Sequence, residues 1–367
     1  MTVFGTRPEA VKMAPLVREL QQCEAIHLVN VVTGQHREML DQILHTFDIV
    51  PDLDLDIMRP GQSLNRMASR ALEGLDQAIN DNEPQLILAQ GDTLTTFAAS
   101  LAAFYARIDF GHVEAGLRSD NRFEPYPEEM NRRMTSLCAS MHFAPTELAR
   151  QRLVAEGVPE LDIWMTGNTV IDALNQIVGL AEPMQDAVLD SWIGQRRLVL
   201  VTAHRRENWG HPMESICRAI RRLLEKFTDA VVVFPMHRNP IVRETVIREL
   251  GTNPSVKLIE PPDYLEFVKL MQRAWLILTD SGGVQEEAPS LGKPVLVLRN
   301  TTERPEGVEA GNSKLVGTDE DILLVEASEL MENPYRYQQM SGARNPYGDG
   351  QASVRICRAI EERYSLA

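Results

Sequence analysis

Short apolar runs alternate with longer amphipathic stretches along almost the whole chain. In the first half the runs are TVFG (2–5), HLVNVVT (27–33), LILA (86–89), FGHV (110–113), MHFA (141–144) and IWMT (163–166). Between them stand stretches with helical spacing, among them EAVKMAPLVRELQQ (9–22) and TLTTFAASLAAFYA (93–106). The second half repeats the rhythm with LVLVTA (198–203), AVVVFP (230–235), VKLIE (256–260), WLILT (275–279), VLVL (295–298) and KLVG (314–317). This pattern predicts βαβ units, whose parallel strands are covered by helices on both faces. A polar stretch, AEPMQDAVLDSWIGQRR (181–197), separates the halves. At 367 residues the chain is too long for one ordinary core and suits two. The expectation is an α/β protein of two doubly wound, Rossmann-like domains facing each other across a cleft. A ligand is expected at the carboxyl ends of the strands. The first domain is predicted over 1–168, completed by a C-terminal helix within 351–367 after the loop NPYGDG (345–350), and the second over 169–350.

Composition removes several function classes. Hydrophobic content of 44% and charged content of 24% are those of a water-soluble globular chain. No apolar stretch approaches the ~20 residues of a membrane span, and no signal peptide opens the sequence. Cys23, Cys138, Cys217 and Cys357 are scattered without a CxxC pair, which predicts a reduced, cytoplasmic protein without structural zinc. A net charge of −15 argues against a broad nucleic-acid surface. Any anionic ligand therefore needs locally concentrated positive groups.

Glycine and basic residues stand at predicted strand exits. In TDSGGVQEEAPSLGKPV (279–295) a strand becomes a helix through Ser281, Gly282 and Gly283. A helix start presents unpaired backbone N–H groups and partial positive charge, and glycine lets an anion approach closely. Glu287, one turn on, has the chemistry to accept hydrogen bonds from neighbouring hydroxyls, as on a ribose. A tight strand–helix turn with an ordinary glutamate explains the same residues. No GxGxxG follows a strand and no GxxxxGK[ST] exists, so a redox dinucleotide or a P-loop nucleotide is disfavoured. FGTRPEAVKMAP (4–15) places Arg7 and Lys12 at another strand exit, with Pro8 at a helix start, and TTERPE (301–306) adds Arg304.

Carboxylates and histidines occupy the remaining exits. QGDTLTT (90–96) carries Asp92, which as Asp-Thr is also a helix-cap pattern. GHVEAGLRS (111–119) carries Glu114. PYPEEMNRR (125–133) carries Glu128, where a glutamate that stabilises the helix dipole is the plainer reading. TAHRREN (202–208) carries His204 with Arg205 and Arg206, and FPMHRNP (234–240) carries His237. Titratable groups gathered at strand exits are what general acid–base chemistry needs. Neither HExxH nor a paired-histidine motif is present, so a metal site is not expected.

Together FGTRPEAVKMAPL, TGQHREMLDQ, GDTLTTFAASLAAFY, GHVEAGLRS, PYPEEMNRR, TGNTVIDAL, TAHRREN, LTDSGGVQEEAPSLGKPVLVLR, TTERPE and NPYGDGQAS resemble the non-hydrolysing UDP-N-acetylglucosamine 2-epimerases of bacteria, in the family's order from residue 2 to about residue 360. The resemblance implies the glycosyltransferase-like GT-B fold, a homodimer and no metal or redox cofactor. It implies interconversion of UDP-GlcNAc and UDP-ManNAc for surface polysaccharide synthesis, by elimination of UDP to a 2-acetamidoglucal and re-addition. It gives Arg7, Lys12, Ser281, Gly282, Gly283 and Arg304 to the diphosphate, Glu287 to the ribose and Phe267 to the neighbourhood of the uracil. Asp92, Glu114, Glu128 and His204 match catalytic or sugar-contacting positions. Gln35, Arg206 and His237 match a second, regulatory UDP-GlcNAc site. Four positions depart from the family's pattern: Gln90 stands where His is frequent, Pro262 and Glu38 where Gln is common, and Gly61 where some members have Arg. The enzyme alternatives are a hydrolysing relative that releases UDP and ManNAc, and a GT-B glycosyltransferase. The non-enzyme alternative is a nucleotide-sugar sensor.

Overall fold

The structure, a computed structural model, describes every residue except 35, 36, 60, 120, 181, 182 and 367, and the side chains of all described residues but 37–39. The first sheet contains β1 (Thr2–Phe4), β2 (Asn30–Val32), β3 (Leu53–Asp54), β4 (Leu86–Gln90), β5 (Asp109–Val113), β6 (Met141–Ala144) and β7 (Ile163–Met165). Its seven strands lie in the order β3-β2-β1-β4-β5-β6-β7, all pairs parallel. The second contains β8 (Arg197–Thr202), β9 (Ala230–Pro235), β10 (Val256–Ile259), β11 (Ala274–Thr279), β12 (Val295–Val297) and β13 (Ser313–Leu315). Its six strands run β10-β9-β8-β11-β12-β13, again parallel. The two-sheet α/β expectation is borne out, and each apolar run quoted above became a strand. The pattern missed β3, a two-residue edge strand whose Leu53 is only half-buried.

Both sheets reverse direction of winding beside their first strand, between β1 and β4 and between β8 and β11. At such switch points in open α/β sheets, ligands bind outside the carboxyl ends of the strands. Continuous burial explains why the runs read as unbroken apolar stretches. All six residues of β9 are buried. Each Val, Leu, Ile or Phe fully buried contributes roughly 1.5–3 kcal/mol, more than any surface interaction nearby. The second core packs Val199, Val201, Val232, Phe234, Leu276 and Leu278 against Met213, Ile216, Ile220 and Leu223 of the helix His211–Lys226. That 3-4-3 spacing is the stripe an amphipathic helix turns toward a sheet.

The chain forms two compact units, Met1–Gln176 with Tyr347–Ala367, and Ile177–Pro346. The division falls inside the helix Thr169–Gly179, whose Val170, Ile171, Ala173 and Leu174 are buried. The chain ends in the first unit with the helix Ala352–Tyr364. The Asp172 carboxylate accepts the Ala352 and Ser353 N–H groups at 3.2 and 2.7 Å, capping that helix from 180 residues away. At its other end the Tyr364 hydroxyl donates to Asp109 Oδ2 at 2.7 Å.

Candidate active site

In the first unit the functional side chains gather where β1, β4 and β5 end. The chain leaves β1 through Gly5, where a Cβ would lie 1.8 Å from Thr33 Oγ1 and 2.8 Å from Thr95 Oγ1; only glycine passes. The helix Arg7–Gln22 starts on a capping box made by Thr6 and Glu9. Glu9 is buried and also accepts from Gly5 N (3.0 Å), Thr93 Oγ1 (2.5 Å) and Thr96 Oγ1 (3.2 Å). Burial raises its pKa and these hydrogen bonds oppose the rise. Glu9 thus ties the helix bearing Arg7 and Lys12 to the start of the helix Leu94–Ala106.

Lys12 Nζ pairs with Glu114 Oε2, which also accepts from Gln90 Nε2 at 2.8 Å. Glu114, directly after β5, has φ 64°, a left-handed conformation that costs a non-glycine residue about 1–3 kcal/mol. Asp92, after β4, pairs with Arg132 of the helix Glu128–Cys138, and its carbonyl accepts Asn131 Nδ2 at 3.0 Å. The helix cap beside it is Thr93, so Asp92 is not merely the cap its dipeptide allowed. Glu129, completely buried, accepts from Ser119 N (3.0 Å), Arg132 Nη1 (3.2 Å) and Arg133 Nε (2.8 Å). Glu128 opens the helix. Burial raises its pKa, Asp92 adds repulsion, and Arg132 opposes both. A glutamate serving only the helix dipole would shift the other way. His112, which burial holds neutral with a pKa of about 3, donates from Nε2 to Gly91 O at 2.7 Å and so anchors the turn carrying Asp92.

In the second unit the corresponding residues sit at the ends of β8, β9, β11 and β12. Asp280 follows β11 directly and is completely buried. Its carboxylate accepts from His204 N (2.9 Å), Arg205 N (3.0 Å), Asn208 Nδ2 (2.9 Å) and His204 Nδ1 (3.0 Å). Burial works to raise its pKa, but His204 and the other donors outweigh it and hold the group below its usual value. His237, after β9, stacks on His204 with ring centroids 6.0 Å apart. Burial, then His204, lowers the pKa of His237.

Beside the Ser281-Gly282-Gly283 turn lies a cluster of paired arginines and glutamates. Arg304 Nε donates to Glu286 Oε1 at 2.9 Å and Arg304 Nη1 meets Glu303 Oε1 at 2.9 Å. Arg205 Nη2 (2.7 Å) and Arg299 Nη1 (2.6 Å) reach the same Glu303 carboxylate. Burial alone would raise Glu303; Arg304, Arg205 and Arg299 bring it down to about 2. Three guanidinium groups converge on the half-buried Glu303 carboxylate, while Glu286 and Glu207 also pair with Arg304 and Arg299, so the formal charges balance and what the cluster offers an anion is fixed N–H donors beside a helix start. A Cβ on Gly282 would lie 2.8 Å from Arg304 Cζ, so glycine is what lets Arg304 lie on the turn. Glu287 accepts from the Tyr264 hydroxyl at 2.6 Å, and Phe267 lies half-buried on the same helix as that tyrosine, Tyr264–Arg273.

The structure thus brings together Lys12 with Glu114, Arg304 with Gly282, and His204 with His237. Arg206 is exposed, its guanidinium 5.9 Å from the Trp209 ring. Gln35 lies outside the described residues, as does the side chain of Glu38. Among the described residues no group of three or more His, Cys, Asp or Glu side chains is arranged to hold a metal ion. Sequence reasoning missed Asp280, Glu303, Glu129 and Arg132. Asp280 and Glu303 are immediate neighbours of Ser281 and Arg304 in motifs already singled out. The i, i+4 pairs in EEMNRR (128–133) were a legible signal for Arg132 and Arg133.

A model of the family described as UDP-N-acetylglucosamine 2-epimerase matches residues 18–361. The chain is 53% identical over 366 residues to the UDP-N-acetylglucosamine 2-epimerase of Bacillus subtilis, covering 99% of this chain and 95% of that one. Its structure is similar to the S. aureus MnaA–UDP co-structure, with a TM-score of 0.91, 49% identity and coverage of 100% and 97% of the two chains. It is also similar to UDP-GlcNAc 2-epimerase from Neisseria meningitidis bound to UDP-GlcNAc, with a TM-score of 0.89, 47% identity and coverage of 98% and 99%.

Proposed function

Because the chain belongs to the UDP-N-acetylglucosamine 2-epimerase family and is an isomerase of that kind, we propose that it inverts C2 of UDP-N-acetylglucosamine reversibly by eliminating and re-adding UDP. The observation that carries this reading is the likeness over nearly the whole chain to a relative solved with UDP-GlcNAc bound. No carbonyl adjacent to C2 acidifies its hydrogen, so direct deprotonation is unfavourable. In the elimination, a carboxylate takes the C2 proton while the anomeric C–O bond breaks. UDP leaves with the bonding pair, and a C1–C2 double bond remains. Return of a proton to the opposite face of C2, with attack of UDP oxygen on C1, gives UDP-ManNAc.

In the second unit, Ser281, Gly282, Gly283 and Arg304 hold the diphosphate, Glu287 the ribose, and Phe267 stands near the uracil. The leaving diphosphate gains charge in the transition state, and preorganised guanidinium and backbone N–H donors lower that barrier. In the first unit, Arg7 and Lys12 serve the diphosphate, and Asp92, Glu114 and Glu128 serve the sugar. Glu128, beside Asp92 and Arg132 at the start of its helix, joins Asp92 and Glu114 as a candidate to carry the C2 proton. The same reading makes the protein a cytoplasmic homodimer supplying surface polysaccharide synthesis. What supports the dimer is that Phe104, Tyr105 and Leu137 are exposed large hydrophobics on two helices that pack together, Leu94–Ala106 and Glu128–Cys138. Sedimentation gives the oligomeric state directly.

The deciding experiment incubates the protein with UDP-GlcNAc in D2O and resolves the sugars. UDP-ManNAc carrying deuterium at C2 is the expected product. Accumulating free ManNAc and UDP would mark a hydrolase, and no turnover without an acceptor would mark a glycosyltransferase. C2 hydrogen fully retained in UDP-ManNAc would sink the proton-transfer scheme. A regulatory second UDP-GlcNAc, the role the resemblance gives Gln35, Arg206 and His237, is tested by starting from pure UDP-ManNAc. Turnover should lag until UDP-GlcNAc is added.

A further inference from the structure

The ends of β8 and β11 meet at the point where the second sheet reverses its order. Thr202 and Thr279 are register partners there, and their hydroxyls are 2.6 Å apart. One residue past Thr279 is Asp280; two past Thr202 is His204. We infer that Asp280 is a positioning residue that fixes the tautomer of His204, so that His204 meets the nucleotide sugar through Nε2. The inference rests on the epimerase reading for what His204 does, but its geometry stands on its own.

A carboxylate held ionised has no proton to give, so every contact it makes is as acceptor. His204 Nδ1, 3.0 Å from Asp280 Oδ1, must therefore carry the hydrogen in that contact. A neutral imidazole with its proton on Nδ1 offers its lone pair at Nε2. His204 thus serves as acceptor when neutral and donor when protonated, through one fixed atom. The neighbouring ring is set the opposite way. His237 Nδ1 accepts the Asn239 N–H at 3.2 Å, so its proton sits on Nε2. Stacking against His237 fixes the tilt of the His204 ring, and Asp280 fixes its rotation.

The arrangement of donors around Asp280 makes the test sharp. Oδ2 takes three of them: His204 N (2.9 Å), Arg205 N (3.0 Å) and Asn208 Nδ2 (2.9 Å). Oδ1 faces the imidazole and takes only a second, longer share of the His204 N–H, at 3.2 Å. In Asp280→Asn the single remaining carbonyl oxygen belongs in the three-donor position, because an amide N–H₂ there would confront three donors. The amide nitrogen then faces His204 Nδ1 and donates to it. Nδ1 becomes the acceptor, and the ring proton is forced onto Nε2. The backbone cap survives while the tautomer inverts.

The experiment uses full-length protein with ¹⁵N-labelled histidine, the His204 signals identified by their loss in His204→Gln. Wild type should show the proton on Nδ1, and Asp280→Asn should move it to Nε2. With UDP-GlcNAc, kcat of Asp280→Asn should fall roughly 10²–10⁴-fold with KM little changed. Adding His204→Gln to Asp280→Asn should cost little more than either change alone. A wild-type ring protonated at Nε2 overturns the inference without any Asp280 variant, as do full additivity of the two changes or an unchanged kcat in Asp280→Asn. If wild type fails to epimerise UDP-GlcNAc, the functional reading falls, while the tautomer measurement still decides the positioning role.

Discussion

Gly282→Ala is the substitution that separates binding from folding most cleanly. The new Cβ would lie 2.8, 2.9 and 3.0 Å from Arg304 Cζ, Nη1 and Nε, inside the 3.4 Å at which ordinary contact begins. Those nitrogens are the ones engaged by Glu303 and Glu286, each at 2.9 Å, so the guanidinium cannot retreat without lengthening one ion pair or both. Relief of such overpacking costs about 1–3 kcal/mol. Alanine in place of glycine in a helix returns up to about 1 kcal/mol, and the φ of Gly282 is not in the left-handed region. Stability should therefore drop by no more than about 2 kcal/mol. Binding should lose more. A displaced Arg304 forfeits a charge-assisted hydrogen bond to the diphosphate, about 1.5–3 kcal/mol, or roughly 10- to 150-fold in the Kd of UDP. Calorimetric titration with UDP, beside thermal unfolding, reads the two effects separately. The decisive control repeats the change in Arg304→Ala. If Gly282→Ala acts by moving Arg304, it should weaken UDP little further there. An equal loss in both backgrounds would refute that route. Gly283→Ala meets no protein atom closer than Glu287 Oε2 at 3.8 Å, so it should raise stability by up to about 1 kcal/mol, and any lost affinity must come from the ligand itself.

Three further outcomes are expected. Asp92→Asn, Glu114→Gln and Glu128→Gln should each lower kcat by roughly 10²–10⁴-fold while changing UDP affinity far less; equal losses in both would demote the residue to a binding group. Glu303 has a depressed pKa, about 2 against an ordinary 4.5. Its stabilisation, at most roughly 3 kcal/mol, is complete above pH 4.5 and disappears as pH falls from there toward 2. The stability gap between wild type and Glu303→Gln in urea should thus narrow between pH 6 and pH 3; a constant gap contradicts the assignment. Glu129→Gln removes a buried charge from Arg132 and Arg133, and should destabilise by about 3–5 kcal/mol, seen as a lowered urea midpoint at unchanged slope. A midpoint equal to that of wild type would show that the two arginines find other partners.

The strands were legible because parallel strands buried on both faces leave continuous apolar runs, and β3 escaped because an edge strand of two residues needs no such run. The places of Gly5, Asp92, Glu114, His204 and Ser281 were legible for a related reason: each follows such a run, and the ends of parallel strands share one side of a sheet. Their partners were not. Lys12 and Glu114 are 102 residues apart, and His204 and Asp280 are 76 apart. Which strand ends adjoin depends on sheet order, and no local pattern of apolar residues encodes it. Asp280 shows the limit plainly. An aspartate before Ser-Gly-Gly reads as turn chemistry until the end of β8 is laid beside it.

The cap that Asp172 places on the last helix has a consequence for synthesis. Translation at about 5–20 residues per second needs roughly 10–40 s to cover the 180 residues from Asp172 to Ala352. Throughout that interval the first sheet is complete, yet the flank that receives Ile356 and Ile360 stays uncovered, and Asp172 has no helix to cap. The second unit, contiguous in sequence, has all of its strands before the first unit has its last helix. A nascent chain stalled anywhere after Ser313 would expose one unfinished apolar flank to chaperones and proteases. The first unit is whole only once its last helix has been made, long after its own sheet.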